Sequence, residues 1–131
     1  YTADVTQLET PFEAGLGFCV NFDKGDFIGK TALLEKKKKG FANKLCTLVL
    51  DGENFTQIYG GEAIYHAGTV LTRVRSGGYG YTVKKNILLA YLPVDMTKPG
   101  TKVDVELIEG IRAAEVTTSV LYDPKGEKLK A

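Results

Sequence analysis

The alternation of apolar and polar residues predicts one helix followed by a series of strands. From Gly29 to Lys39 the apolar residues have helical spacing, and four lysines fill the last turn before Gly40, where cations complement the negative end of the helix dipole. From Lys102 to Ile108 three apolar residues alternate with acidic ones, as in a strand with one buried face. The six predicted strands span residues 44–50, 63–65, 69–74, 86–92, 102–108 and 111–118.

Short strands at this spacing are typical of antiparallel barrels and sandwiches. We therefore predict a mainly β protein, an antiparallel six-stranded β-barrel preceded by a short helix over residues 29–39. The glycine-rich run from Ser76 to Thr82 is interpreted as a tight turn between two strands, in which the glycines supply positive φ. It lacks the lysine spacing of a phosphate-binding loop. As an alternative, Tyr79 or Tyr81 lines a pocket for a flat ligand, because tyrosine offers both a ring face and a hydroxyl.

Composition excludes several classes of partner. The 131 residues are 25% charged and 44% hydrophobic, which is ordinary for one globular domain. With 17 basic and 16 acidic residues the formal charge is +1, so no net field attracts nucleic acid or an anionic membrane. The lysine run 36–39 is interpreted as a solvated helix face. The longest apolar run, 87–92, is far shorter than the ~20 residues that span a bilayer. We expect no nucleic-acid partner and no membrane partner.

The residues that most often carry chemistry are scarce. Cys19 and Cys46 are predicted to be buried free thiols, and with one histidine there are too few soft ligands for a zinc or iron–sulfur site. His66 lies at a predicted hairpin tip without a recognisable nucleophile nearby, so we expect an exposed structural histidine. The start, Tyr1 to Val5, shows neither an initiator methionine nor a signal-peptide pattern, and we expect a piece of a longer polypeptide.

Three charged residues are left with two interpretations each. Glu13 lies between apolar residues and glycines; its carboxylate either caps local backbone or meets a ligand. Arg73 and Arg75 alternate with apolar residues on a predicted strand. We predict a solvated strand face for both arginines, with an anionic ligand tail as the alternative.

Several motifs follow one another along nearly the whole chain. They are Thr10-Pro11-Phe12-Glu13-Ala14-Gly15-Leu16-Gly17, Asp23 to Lys30 with Ala32-Leu33-Leu34, Ser76-Gly77-Gly78-Tyr79, Leu89-Ala90-Tyr91-Leu92-Pro93, Pro99 to Val103, and Tyr122-Asp123-Pro124. In this order they resemble the C-terminal region of the glycine cleavage system T protein (aminomethyltransferase) family, including the related domain of dimethylglycine and sarcosine dehydrogenases. One departure is that Thr72 and Arg75 replace the glycine and threonine of the family's Gly-x-Val-Thr-Ser-Gly pattern.

The resemblance implies a tetrahydrofolate-dependent one-carbon transferase. It makes residues 1–40 the tail of a folate-binding domain and residues 41–131 a C-terminal antiparallel β-barrel. No position matches the family's acid–base aspartate, so we name no catalytic residue and expect the isolated chain to be inactive. The four candidate cofactor-binding residues are Glu13, Phe18, Lys24 and Tyr79.

Two alternatives keep the same fold. The chain is either the folate domain of a flavin-dependent dimethylglycine or sarcosine dehydrogenase, or a non-catalytic folate-binding or docking module. The partners that the resemblance implies are folate, an upstream catalytic domain of the same polypeptide, and a lipoyl carrier protein or a fused flavin domain. The implied compartment is the cytoplasm, or the mitochondrial matrix in a eukaryote.

Overall fold

The computed structural model describes residues 1–130 and consists of an N-terminal segment followed by one antiparallel sheet of seven strands. The elements are a 3₁₀ turn at Gly17–Cys19, α1 (Lys30–Lys39), β1 (Asn43–Leu50), β2 (Ala63–His66), β3 (Thr69–Arg73), β4 (Ser76–Gly80), β5 (Lys85–Pro93), a 3₁₀ turn at Val94–Met96, β6 (Lys102–Leu107) and β7 (Gly110–Thr117). Across the sheet the order is β3-β2-β6-β7-β1-β5-β4.

A bend between β3 and β4 joins the two edges of this sheet. These two strands lie at opposite edges, yet only Val74 and Arg75 separate them along the chain. The bend bonds to both sides, since the Val74 N–H donates to the Glu62 carbonyl at 2.8 Å and the Arg75 N–H to the Leu89 carbonyl at 2.7 Å. One bent strand path therefore draws the edges together, and the sheet curls into a barrel.

The predicted mainly β, antiparallel barrel is confirmed, but the strand count of six is wrong. The seventh strand is β4, which was predicted as a turn and instead pairs with β5 from Ser76 opposite Leu89 to Gly80 opposite Lys85. Its glycines are not needed for positive φ. At Gly77 a Cβ would lie 2.7 Å from Cγ2 of Ile58, so glycine is needed because another segment of the chain crosses the strand at this point.

Alternating side chains of the strands form the core. On β5 every second residue is buried, and on β6 the valines and Leu107 point inward while the acidic residues face out. Leu48 of β1 lies opposite Leu88 of β5 and Val116 of β7, and all three are at most 1% exposed. Each fully buried aliphatic side chain contributes roughly 1.5–3 kcal/mol. The barrel therefore carries its own hydrophobic core.

The buried polar residue Asn86 fixes a loop to this core. Its side-chain oxygen accepts from the Thr56 N–H at 2.9 Å, and its amide nitrogen donates to the Asn54 carbonyl at 2.7 Å. Both ends of the amide are satisfied, so its burial is offset by hydrogen bonds. The loop that Asn86 holds leads directly to Ile58, the residue that packs on Gly77.

The N-terminal segment, residues 1–42, contains the predicted helix but buries little apolar surface. The Gly40 N–H caps α1 by donating to the Lys36 carbonyl at 3.0 Å. No side chain of α1 is buried, and Ile28 just before it is fully exposed. In the whole segment only Ala14 is buried. The helix therefore adds no buried side chain to the core.

The predictions made for the two cysteines and the histidine are confirmed in part. Both cysteines are free, as predicted, and Cys46 is buried; Cys19 is exposed, because it lies in a 3₁₀ turn of the N-terminal segment. His66 is exposed beside a hairpin turn at Ala67 and Gly68, which confirms its placement. Across residues 1–130 no His, Cys, Asp and Glu side chains group in a way that could hold a metal ion, and no helix has the length and apolarity to cross a membrane.

Replacing Gly77 with alanine tests the close approach on β4. We expect Gly77→Ala to destabilise the protein by about 1–3 kcal/mol, because the new methyl group overlaps Ile58 and the Ile87 carbonyl. Gly78→Ala is the matched control, since a Cβ there meets nothing within 4 Å. Urea unfolding followed by circular dichroism measures both variants. Equal losses for the two would contradict the packing role of Gly77.

Candidate functional site

A polar cleft lies where the N-terminal segment crosses the outside of the barrel. Its volume is about 230 Å³. Residues of the N-terminal segment form one wall, and β1, β3, β5 and the β3–β4 bend form the other. The lining residues are Leu8, Glu9, Glu13, Asn43, Thr72, Arg73, Arg75 and Tyr91.

An ion pair between Glu9 and Arg75 holds the two walls together. Nη2 of Arg75 bonds Oε1 of Glu9, and the two side chains are only 20% and 16% exposed. The second Glu9 oxygen accepts from the Thr6 N–H at 2.7 Å and from the Thr6 hydroxyl at 2.6 Å. The Arg75 guanidinium also lies 5.1 Å from the centre of the Tyr91 ring, a cation–π distance. Glu9 and Arg75 are therefore fixed from several sides.

Other tethers of the N-terminal segment are also polar. The Ser76 hydroxyl bonds the Asp4 carboxylate. Main-chain bonds run from the Leu45 N–H to the Glu13 carbonyl, at 2.8 Å, and from the Val94 N–H to the Ala42 carbonyl, at 3.0 Å. The segment is thus held on the barrel by hydrogen bonds and charge, with little apolar burial.

Two ionisable groups of the cleft have shifted pKa values. The Thr6 hydroxyl lowers the pKa of Glu9 below its ordinary value, helped by the Thr6 amide and the charge of Arg75 and opposed by burial. Burial raises the pKa of Tyr91, and the negative charge of Glu9 raises it further. At neutral pH the cleft therefore contains an ionised Glu9 carboxylate beside a neutral Tyr91 phenol.

Among residues 1–130, three buried side-chain atoms lack a hydrogen-bond partner; one, Oε2 of Glu62, lies outside the cleft lining, and the other two belong to residues that line the cleft. These two are the Tyr91 hydroxyl oxygen and Nε of Arg75, which bond no atom of residues 1–130. Most buried polar groups in proteins are paired, so two unpaired groups in side chains that line one cleft mark a candidate binding site. Three larger hollows, of about 370, 450 and 460 Å³, are lined by neither residue.

Of the predicted site residues, only Glu13 lines this cleft. Its carboxylate accepts from the Thr10 N–H at 2.8 Å and the Thr10 hydroxyl at 2.7 Å, which is the local capping that was one of its two interpretations. Arg73 is exposed on its strand, as predicted. The prediction of a solvated Arg75 is wrong, because Glu9 and Tyr91 enclose its side chain.

The other three predicted cofactor contacts lie elsewhere. Phe18 is 85% exposed in the N-terminal segment, and Nζ of Lys24 lies 5.4 Å from the centre of the Phe27 ring. Tyr79 belongs to β4, where its hydroxyl donates to the Glu53 carbonyl at 2.8 Å. The roles of all three in folate binding stay predictions.

Sequence reasoning missed Glu9 and Tyr91. The available signal for Glu9 was a tandem Thr-x-x-Glu pattern, Thr6 to Glu9 and Thr10 to Glu13, in which each carboxylate bonds back to the threonine amide, as in a capping box. The signal for Tyr91 was the alternation of β5, which puts this aromatic ring on the outer face.

A double-mutant cycle tests the ion pair across the cleft. Combining Glu9→Gln with Arg75→Gln should reveal a coupling of about 1 kcal/mol in the free energy of unfolding, since the pair is mostly enclosed yet still reached by solvent. Urea unfolding of the four proteins gives the coupling. If the effects of the two substitutions on the free energy of unfolding simply add, Glu9 and Arg75 do not stabilise each other across the cleft.

The same cycle should depend on pH. Because the pKa of Glu9 is lowered by folding, its contribution to stability is present above the ordinary value of 4.5 and is lost as the pH falls through the folded value. The coupling should therefore shrink on acidification, whereas Glu35→Gln on the exposed helix should not change it.

Comparison with known proteins identifies the family. The family described as "Glycine cleavage T-protein C-terminal barrel domain" matches residues 43–123. The aminomethyltransferase of Prochlorococcus marinus is 36% identical over 123 residues, which cover 93% of this chain and 32% of that protein. The human mitochondrial dimethylglycine dehydrogenase is 39% identical over 99 residues, which cover 75% of this chain and 11% of that protein.

A solved structure agrees with these relatives. The crystal structure of the glycine cleavage system aminomethyltransferase T from Bartonella henselae superposes with a TM-score of 0.80 at 28% identity, covering 90% of this chain and 33% of that one. The chain therefore spans about a third of the aminomethyltransferases that it matches. By its sequence and its barrel, the chain belongs to the glycine cleavage T-protein C-terminal barrel domain family.

Proposed function

We propose that this chain forms one wall of the folate cavity in a tetrahydrofolate-dependent aminomethyltransferase, and that it positions folate rather than transferring protons. The observation that carries the proposal is the cleft at the junction of the N-terminal segment and the barrel. There, unpaired groups of Tyr91 and Arg75 line the same cleft as Glu13. Family membership supplies the reaction class.

The cleft fits part of a folate molecule. Pockets that enclose drug-sized ligands usually measure ~300–1,000 Å³, and this cleft of about 230 Å³ is smaller. Its polar lining suits the hydrogen-bonding portion of folate, with the Tyr91 hydroxyl and Arg75 Nε as free donors. The remaining walls would come from the two-thirds of an aminomethyltransferase that this chain does not span.

The exposed apolar residues of the N-terminal segment support such a partner domain. Leu8 and Phe18 are each 85% exposed, and Ile28 is fully exposed. Apolar side chains concentrated on one segment typically mark a contact surface. We infer that the upstream catalytic domain of the same polypeptide packs on this surface.

Tetrahydrofolate, when bound, would accept the one-carbon unit at N5. The residues of this chain would orient it: the cleft offers hydrogen-bond donors, the Glu9–Arg75 pair keeps the walls together, and the barrel provides a rigid support. Fixing a reactant in this way lowers the entropic part of the barrier. The acid–base group would come from the upstream domain.

A second candidate function is the folate domain of a dimethylglycine dehydrogenase. The glycine-rich run 76–82, with Tyr79 in β4 and Tyr81 just after it, resembles the flavin-fused relatives, and the human dimethylglycine dehydrogenase is among the proteins that the chain matches. A docking module without catalysis is the third outcome.

A chimera tests the proposal. This chain would replace the corresponding C-terminal third of the Prochlorococcus marinus aminomethyltransferase. We expect the chimera to form methylenetetrahydrofolate from an aminomethyl-lipoyl carrier and to bind tetrahydrofolate at micromolar strength, because the cavity is then complete. The isolated 131 residues should bind it much more weakly.

Two controls make the result decisive. The same enzyme without its C-terminal third should be inactive, and an equivalent exchange into dimethylglycine dehydrogenase tests the second candidate. A folded chimera that binds folate but shows no turnover in either host would favour the docking module. Equal folate affinity of the isolated chain and the chimera would overturn the shared cavity.

Glu13 is tested within the chimera. We expect Glu13→Gln to weaken tetrahydrofolate binding about tenfold or more, because a hydrogen bond to a charged group is lost, while the unfolding midpoint changes little. Isothermal titration calorimetry and thermal unfolding measure the two effects, with Glu35→Gln as the matched control. If only the midpoint falls, Glu13 is a local cap of the Thr10 backbone.

A further inference from the structure

The two unpaired groups of the cleft are both hydrogen-bond donors. Nε of Arg75 carries one N–H and has no lone pair to accept with, and the Tyr91 hydroxyl carries one O–H. Neither has a partner among residues 1–130. Leaving a buried polar group unpaired costs about 1–3 kcal/mol. A ligand that places an acceptor against each group would remove this cost.

Arg75 is fixed before any ligand binds. Its Nη2 is held by Glu9, and its guanidinium carbon lies 5.1 Å from the centre of the Tyr91 ring. Glu9 is itself anchored by the amide and hydroxyl of Thr6. Because the guanidinium is planar and rigid, fixing Nη2 also fixes the direction of the Nε–H bond. The two donors therefore form a preorganised pair.

The surrounding charges disfavour an anionic acceptor. The cleft is lined by two carboxylates, Glu9 and Glu13, and by two guanidinium groups, Arg73 and Arg75. Arg75 is already neutralised by Glu9, and Arg73 is exposed to solvent. A carboxylate or phosphate placed against Tyr91 would meet the fields of Glu9 and Glu13 without a free enclosed cation. A neutral acceptor avoids this repulsion.

We propose that this cleft recognises a neutral carbonyl oxygen of an amide, which accepts from the Tyr91 hydroxyl and from Nε–H of Arg75. Such an oxygen belongs either to a folate amide or to a peptide backbone. The inference rests on the proposed function only if the carbonyl oxygen belongs to folate. Binding of a small amide tests the cleft independently of that function.

The unpaired hydroxyl gives this site a distinctive stability signature. In Tyr91→Phe the ring and its contact with Arg75 are kept while the unpaired hydroxyl is removed. The urea midpoint of the free chain should therefore stay equal or rise, and affinity for the amide should fall. If the Tyr91 hydroxyl served only the fold, its removal would lower the urea midpoint and leave the affinity for the amide unchanged. Tyr65→Phe is the matched control, because the Tyr65 hydroxyl donates to Glu106 at 2.6 Å.

Nuclear magnetic resonance of the ¹⁵N-labelled 131-residue chain tests the inference. The Nε–H signal of Arg75, assigned with Arg75→Lys, is followed during titration with N-methylacetamide, N-acetylglycine N-methylamide, acetate and 5-formyltetrahydrofolate. We expect both small amides to shift the signal saturably and more tightly than acetate. Tyr91→Phe should weaken the amides about three- to tenfold, and Tyr65→Phe should not.

The outcomes separate the two claims. No saturable shift with either amide, an unchanged affinity in Tyr91→Phe, or tighter binding of acetate would overturn the carbonyl site. Because the isolated chain forms only one wall of the proposed cavity, the folate titration is judged in the chimera. Shifts with the small amides but none with the folate in the chimera would support the site and assign it to a peptide backbone. In that case the folate role proposed for this cleft fails while the carbonyl site stands.

Discussion

The bend at Val74 and Arg75 is the constraint on which the rest of the structure depends. It carries one strand path from one sheet edge to the other, and its two amides bond to opposite neighbours, the loop at Glu62 and strand β5 at Leu89. Without it the outer strands β3 and β4 would be unconnected edges. With it, the two edge strands form one continuous path, in which β3 pairs with β2 and β4 pairs with β5, and Val74 is buried in the core.

The same bend positions the functional candidates. Val74 points into the core, so its neighbour Arg75 points outward, toward the N-terminal segment and the Tyr91 ring. The alternation of a strand thus couples barrel closure to cleft geometry. Movement of the bend would displace a core side chain, Val74, so the packing of the core restrains the backbone of Arg75. A binding group gains precision from such a support.

Much of the barrel could be predicted from local pattern, because alternation along β5 and β6 reports directly which face is buried. The glycine run of β4 could not, since glycine has no side chain to show a period of two. Its strand state comes from pairing with β5 and from contact with Ile58. The cleft was harder to predict than the barrel. Glu9 and Arg75 are 66 residues apart, and nothing local indicates that they meet.

The cleft also shows how the barrel tolerates an unfavourable local arrangement. Two unpaired buried donors together cost several kcal/mol at most, and fully buried side chains such as Leu48, Leu88 and Val116 each contribute roughly 1.5–3 kcal/mol. The core can therefore offset the cost of the cleft. Folding alone would be served better by phenylalanine than by a tyrosine with an unpaired hydroxyl. The unpaired donors of Tyr91 and Arg75 do nothing for the stability of the free barrel, and the proposed carbonyl ligand is what would offset their cost.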